Sequence, residues 1–102
     1  DMLEYAVDII AATHPEEASI PEIAQYVQYG SGPRGLQSLI KLAKARALVA
    51  GRYHVSIADI KTVAKPVLRH RLLLNYEGEA EGKTADALID LILQTVKQGQ
   101  VV

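Results

Sequence analysis

Nucleophilic chemistry in this chain would need a serine beside a base, because there is no Cys. Ser31, Ser38 and Ser56, with His14, His54 and His70, supply the residue types. No G-x-S-x-G elbow frames any of these serines. Gly30-Ser31-Gly32 brackets a serine with glycines but lacks the strand–turn–helix context that exposes such a nucleophile. The histidines are scattered, with no H-x-x-x-H pair and no acidic cage, so no metal site is expected. Glu77, Glu79 and Glu81 alternate in a glycine-containing stretch without the D-x-D-x-D-G order of an EF-hand, and read as a solvated loop. No catalytic residue is expected in this chain.

Arg34 stands apart from these. It follows Pro33 in the first turn of an expected helix, where a cation is disfavoured by the helix dipole. Free N–H groups, the positive helix end and a guanidinium would together clamp a phosphate. The plainer account is a long side chain lying across the surface. No G-x-x-x-x-G-K-[ST] is present, so this chain alone cannot cradle a triphosphate.

A free-standing helical module that binds nucleic acid or protein through the basic centre is a second possibility to weigh. Lys41, Lys44 and Arg46 could form a stripe, joined by Arg52, and residues 57–74 could form a helix-turn-helix. No aromatic platform interleaves these charges, and the second helix of such a motif would offer little beyond arginine for reading bases. Nucleic acid is therefore disfavoured as a partner.

The chain has 102 residues, 49% of them apolar and 23% charged, with no Trp or Phe and five Tyr. That describes one folded domain, too short for an NTPase core of about 150 residues or more. The formal charge of −1 is an average. Residues 1–33 hold six acids and no Lys or Arg; residues 34–76 hold nine Lys/Arg and one acid; residues 77–102 hold five acids and two Lys. This basic centre either pairs with the acidic ends or meets an anion such as phosphate. No run of 18 apolar residues and no signal peptide occurs, so a membrane is not expected, and with the lack of Cys a cytoplasmic location is. The acidic residue before Met2 reads as a cut from a longer chain.

The elements that must position Arg34 are helical. Ala and Leu dominate, which favours tightly packed helices over a sheet. Apolar spacing predicts helices over 2–13, 21–29, 33–50, from Ile57 to the residue before Pro66, from Pro66 to about Leu74, and from Ala85 to near Gln98-Gly99. Pro21 and Pro33 open helices, with Ser31 or Gly32 as N-cap for the latter. Gly51 ends one. Ser56 and Asp59 form a capping box, and Thr84 caps the last helix. Pro66 either continues the preceding helix with a kink or opens a bent one. Residues 14–19 and 75–83 read as loops, and Arg52 to Val55 as an extended connector. The expected fold is all-α, a small bundle of about five helices over residues 1–98. Residues 99–102 are expected to be a frayed tail.

Taken in order, these motifs resemble a known family. Gly30-Ser31-Gly32-Pro33-Arg34 is similar to the G-A-[SG]-P-R-A sensor 2 segment of MoxR-type AAA+ ATPases. The stretch from Ala43 through Gly51-Arg52 to Val55 resembles that family's A-x-A-x-A-L-x-x-G-R-x-x-V, followed by its capped helix. Pro66-Val67-Leu68-Arg69-His70-Arg71 and Glu79-Ala80-Glu81-Gly82 match its P-V-L-R-H-R and E-A-E-G segments. Ala11-Ala12-Thr13 with Pro15 resembles the end of its first lid helix. The resemblance covers nearly the whole chain.

It implies the helical C-terminal lid that packs over a nucleotide held by the preceding α/β core. Arg34 would be the sensor 2 arginine approaching the γ-phosphate, supported by Gly30, Ser31, Gly32 and Pro33. ATP and Mg2+ would be cofactors of the parent chain and not of this piece, which is not expected to be an enzyme by itself. The implied partners are the AAA+ core of the same chain, neighbouring subunits of a hexameric ring, and a client protein remodelled in chaperone-like fashion. Ser31-Gly32 departs from the commoner Ala-Ser, and His14 stands where the family often has Arg.

Overall fold

The computed structural model describes residues 2–17 and 19–96. Helix α1 (Met2–Ala12) buries Tyr5, Ala6, Ile9 and Ile10 and leaves Glu4 and Asp8 outside. A 3-10 turn at Pro15–Glu17 leads to α2 (Pro21–Tyr26) and strand β1 (Val27–Tyr29). Helix α3 (Pro33–Val49) and helix α4 (Ile57–Leu68) pack side by side. Strand β2 (Leu73–Leu74), helix α5 (Tyr76–Ala80) and helix α6 (Ala85–Thr95) complete the described chain.

Helix α4 is the centre of the bundle, touching α1, α3 and α6. Its Ile60, Ala64 and Leu68 are fully buried beside Ile9 of α1, Leu39 and Ala43 of α3, and Ile89 and Ile92 of α6. Alanines at the contacts let the helices approach closely, so a core without Trp or Phe still closes. Three of the four helices in this core have their expected starts: Pro33 at the first turn of α3, the Ser56–Asp59 box on α4, and Thr84 Oγ1 accepting from Ala87 N–H on α6. Gly32, and not Ser31, is the N-cap residue of α3, and it makes no side-chain cap. Beyond α3, Gly51 is left-handed (φ +83°) and the Arg52 N–H bonds back to the Ala47 carbonyl at 2.8 Å.

The bundle carries features that the apolar spacing did not show. Residues 27–29 leave the helix expected over 21–29 and pair antiparallel with β2, Val27 opposite Leu74 and Tyr29 opposite Leu73, with an irregularity between. Residues 73–74 likewise leave the helix expected from Pro66 to Leu74. Helix α4 continues through Pro66 and ends at Leu68, and residues 73–74 are a strand, so the helix-turn-helix over 57–74 is absent. Pro66 lies on the exposed face in the last turn of the helix, with only Val67 and Leu68 after it.

The loop expected over 75–83 contains α5, a short helix that tertiary contacts hold. Asn75 Oδ1 accepts from Gly78 N–H at 2.8 Å while its Nδ2 donates to the Gln25 carbonyl at 2.7 Å. Gly78 lies so close to α2 that a Cβ there would sit 2.9 Å from the Tyr26 carbonyl oxygen. The sequence 14–19 holds the 3-10 turn rather than plain loop. Arg52 to Val55 is irregular and pairs with no strand. The expected helix end near Gln98-Gly99 and the tail 99–102 lie outside the described residues. The all-α bundle stands, with this two-stranded ribbon added at one edge.

Candidate functional site

The sensor-like segment is a loop clamped from below. Thr13, at the end of α1, is fully buried; its hydroxyl donates to the Ile10 carbonyl at 2.6 Å and accepts from the Ser31 N–H at 2.9 Å. His14 Nε2–H donates to the Ser31 carbonyl at 2.6 Å, and its Nδ1 faces Glu16 Oε1 at 3.2 Å. Both polar groups of the Ser31 backbone are therefore held by consecutive residues of another element. Gly30 is required by this closeness, since a Cβ there would collide with the Thr13 carbonyl. Gly32 has open space around it.

Helix α3 starts from this anchored loop. The Gly32 carbonyl accepts from both Gly35 N–H (3.0 Å) and Leu36 N–H (3.3 Å), and Pro33 has no N–H. So the expected set of free N–H groups at the helix start reduces to that of Arg34. The Arg34 side chain is exposed and forms no ion pair or hydrogen bond among the described residues. It is a free guanidinium on a rigid mount.

The other arginines of the basic centre are mostly committed. Asp59 is fully buried and accepts from Arg52 Nη1 and Nη2 at 2.6 and 2.7 Å, from Ser56 N–H at 2.9 Å and from Ser56 Oγ at 3.0 Å. Arg46 Nε lies 3.3 Å from the same carboxylate. The two-pronged bond from Arg52, followed by the Ser56 N–H, holds the Asp59 carboxyl well below the usual carboxylate range, against the opposing effect of its burial. Arg69 makes a two-pronged pair with Asp86 at 2.8 and 3.0 Å, and Lys65 pairs with Asp90 at 2.9 Å. The candidate nucleic-acid stripe of Lys41, Lys44, Arg46 and Arg52 thus loses its two arginines to Asp59.

No group of three His, Cys, Asp or Glu among the described residues could hold a metal ion. Glu77 and Glu81 instead accept from Gln25 Nε2 (2.8 Å) and the Tyr26 hydroxyl (2.9 Å), tying α5 to α2. That bond to Glu81 raises the Tyr26 pKa. None of the described helices is long and apolar enough to cross a membrane. An exposed guanidinium at a helix start is chemically suited to an anion, and the sequence carries no phosphate-cradling P-loop motif.

Sequence reasoning chose the loop and Arg34 but missed the roles of Thr13 and His14. Both lie 17 or 18 residues from their partner, and no local spacing signals such a contact.

The AAA lid domain family profile matches residues 21–92. The chaperone MoxR1 of Mycobacterium tuberculosis is 36% identical over 101 residues, which is 98% of this chain and 27% of the relative. The protein MoxR of Paracoccus denitrificans is 36% identical over 77 residues, 74% of this chain and 22% of the relative. A crystal structure named as a "putative ATPase" from Cytophaga hutchinsonii superposes with a TM-score of 0.90 at 37% identity, over 96% of this chain and 30% of that one. The chain thus spans about a quarter of the length of the curated relatives it matches. With the profile covering the loop, the Arg34 mount and the α3–α4 pair in one stretch, the chain belongs to the AAA lid domain family and is a lid of the MoxR type.

Proposed function

We propose that this lid closes over ATP and Mg2+ bound by an α/β core of the same polypeptide, and that Arg34 is its sensor 2 arginine. The observation that carries the reading is the unpaired Arg34 guanidinium held at the start of α3 by a loop whose backbone Thr13 and His14 grip. A cation placed against the helix dipole, with no acid to meet it, is stabilised when an anion arrives from another domain. Contacts that differ between ATP and its hydrolysis products would bias the angle between lid and core, a population shift at the hinge. In a ring of such subunits, hexameric by family resemblance, that motion would be transmitted to neighbours and to a client protein in chaperone-like remodelling. The parent chain is the ATPase in this reading, and the lid supplies one contact to its site.

Arg34→Ala in the full-length parent is expected to lower ATP turnover by about 100-fold, the scale for losing one charge-stabilising donor. The melting temperature should change little, because the exposed Arg34 side chain makes no hydrogen bond or ion pair among the described residues. Turnover within twofold of the unaltered protein would remove Arg34 from the site.

A further inference from the structure

We infer that Arg71 is a second phosphate-binding cation, taking another oxygen of the polyphosphate that Arg34 meets; the inference rests on the lid reading above. Of the five arginines, three are bound to carboxylates: Arg46 and Arg52 to Asp59, and Arg69 to Asp86. The remaining two, Arg34 and Arg71, have no carboxylate partner among the described residues, and they converge on the first turns of α3. Arg71 Nη2 reaches the Ser38 hydroxyl at 3.4 Å. Ser38 is four residues after Arg34, one helical turn along the same face. Arg71 is exposed, and its nearest polar contact is this single long bond to a neutral hydroxyl.

A second observation lies under the same turn. Ser31 is 2% exposed and its Oγ has no hydrogen-bond partner. A Cβ on Gly35 would collide with that oxygen and would lie 3.4 Å from Arg71 Cδ, so the orphan hydroxyl and the Arg71 stem meet over one glycine. Two guanidiniums at a helix start, with a buried serine hydroxyl left unpaired beside them, make a site with cationic donors and no carboxylate among the described residues to meet them. Arg34 and Arg71 are like charges with no such carboxylate to offset them, and an anion bound by both relieves their repulsion. The open cleft beside Arg71, about 460 Å³ and lined by Ser38, Leu42, Pro66, Val67 and His70, leaves room around its guanidinium. A nucleoside triphosphate offers several anionic oxygens that two guanidinium forks can share.

The test uses the full-length parent and titrates MgATP and MgADP against Arg71→Ala, Arg71→Lys and Arg34→Ala. Arg71→Ala should weaken MgATP at least about tenfold, as loss of one charge-assisted bond to phosphate does. Arg71→Lys, which keeps the charge without the fork, should recover part of that. The melting temperature should stay within a few degrees in both. If Arg71→Ala does not fold, Arg71→Gln, which keeps a polar stem over Gly35, carries the same readout. MgATP affinity within twofold for the Arg71 variants, while Arg34→Ala is impaired, would overturn the role of Arg71 alone. Affinity and turnover within twofold for both arginines would overturn the sensor reading and this inference together.

Discussion

Asp59 shows at the scale of one residue how a motif visible in sequence acquires partners that are not. Its capping box with Ser56 follows from a three-residue spacing. The arginines do not: Arg52 is turned toward Asp59 by the left-handed Gly51, and Arg46 comes from the last turn of α3. Because its pKa is lowered on folding, Asp59 stabilises the fold fully above the ordinary aspartate value of about 3.9 and loses that contribution as pH falls through its lower folded value. Thermal melts should therefore be flat from about pH 7 to 5 and decline below about pH 4. Asp59→Asn should lower the melting temperature at neutral pH by on the order of 10 °C, since it leaves buried donors facing a neutral amide, and should shallow the acid limb. A variant melting like the original at both ends of that range would show the arginine cluster to be unimportant. Asp86, held down by Arg69, titrates in the same direction but is half exposed, so solvent screens it.

At the scale of elements, the long helices were legible because burial there has a local signature. The periods of α3 and α6 match the residues that are buried. The short elements had no such signature. Val27-Gln28-Tyr29 continues an apolar pattern, and only the facing Leu73-Leu74, more than 40 residues away, makes it a strand. Helix α5 has five residues, far below the length at which a helix persists alone, and is held by Asn75, Gly78 and the two glutamates bound to α2. Pro66 is the remaining surprise, since α4 continues through it without the N–H that would bond the Thr62 carbonyl. Pro66→Ala should restore that bond and raise stability by about 1–2 kcal/mol in a denaturant titration, the cost of interior proline less the entropy it removes from the unfolded chain. A loss of stability would show that the proline ring's packing at the α3–α4 cleft outweighs the missing bond.

For the whole molecule, the charge pattern divides between structure and function. Much of the basic centre is neutralised internally, by Asp59 within it and by Asp86 and Asp90 from the acidic end. What stays outside is the α3 start with Arg34 and Arg71, the lysines Lys41 and Lys44 along the exposed side of α3, and Lys61 of α4. Of the stripe weighed for nucleic acid only Lys41 and Lys44 remain uncommitted, too few phosphate contacts on that face for stable binding. The 102-residue chain should therefore give no gel shift with duplex DNA at about 50 mM salt. A salt-sensitive complex lost in a Lys41→Glu, Lys44→Glu variant would revive the reading of a free-standing nucleic-acid module.

By itself the sequence determined the helical class, the starts of the long helices, the absence of a P-loop, and Arg34 as the cation to explain. All of these depend on residue types within a turn or two of each other, where propensity, capping and period act. Tertiary structure alone decided which charges were spent and which were left. Thr13 and His14 grip a loop 17 residues away, Asp59 takes two arginines, and Arg71 comes to lie over Gly35. Those contacts arise from packing α1, α3 and α4 together, and no spacing along the chain encodes a distance across the core.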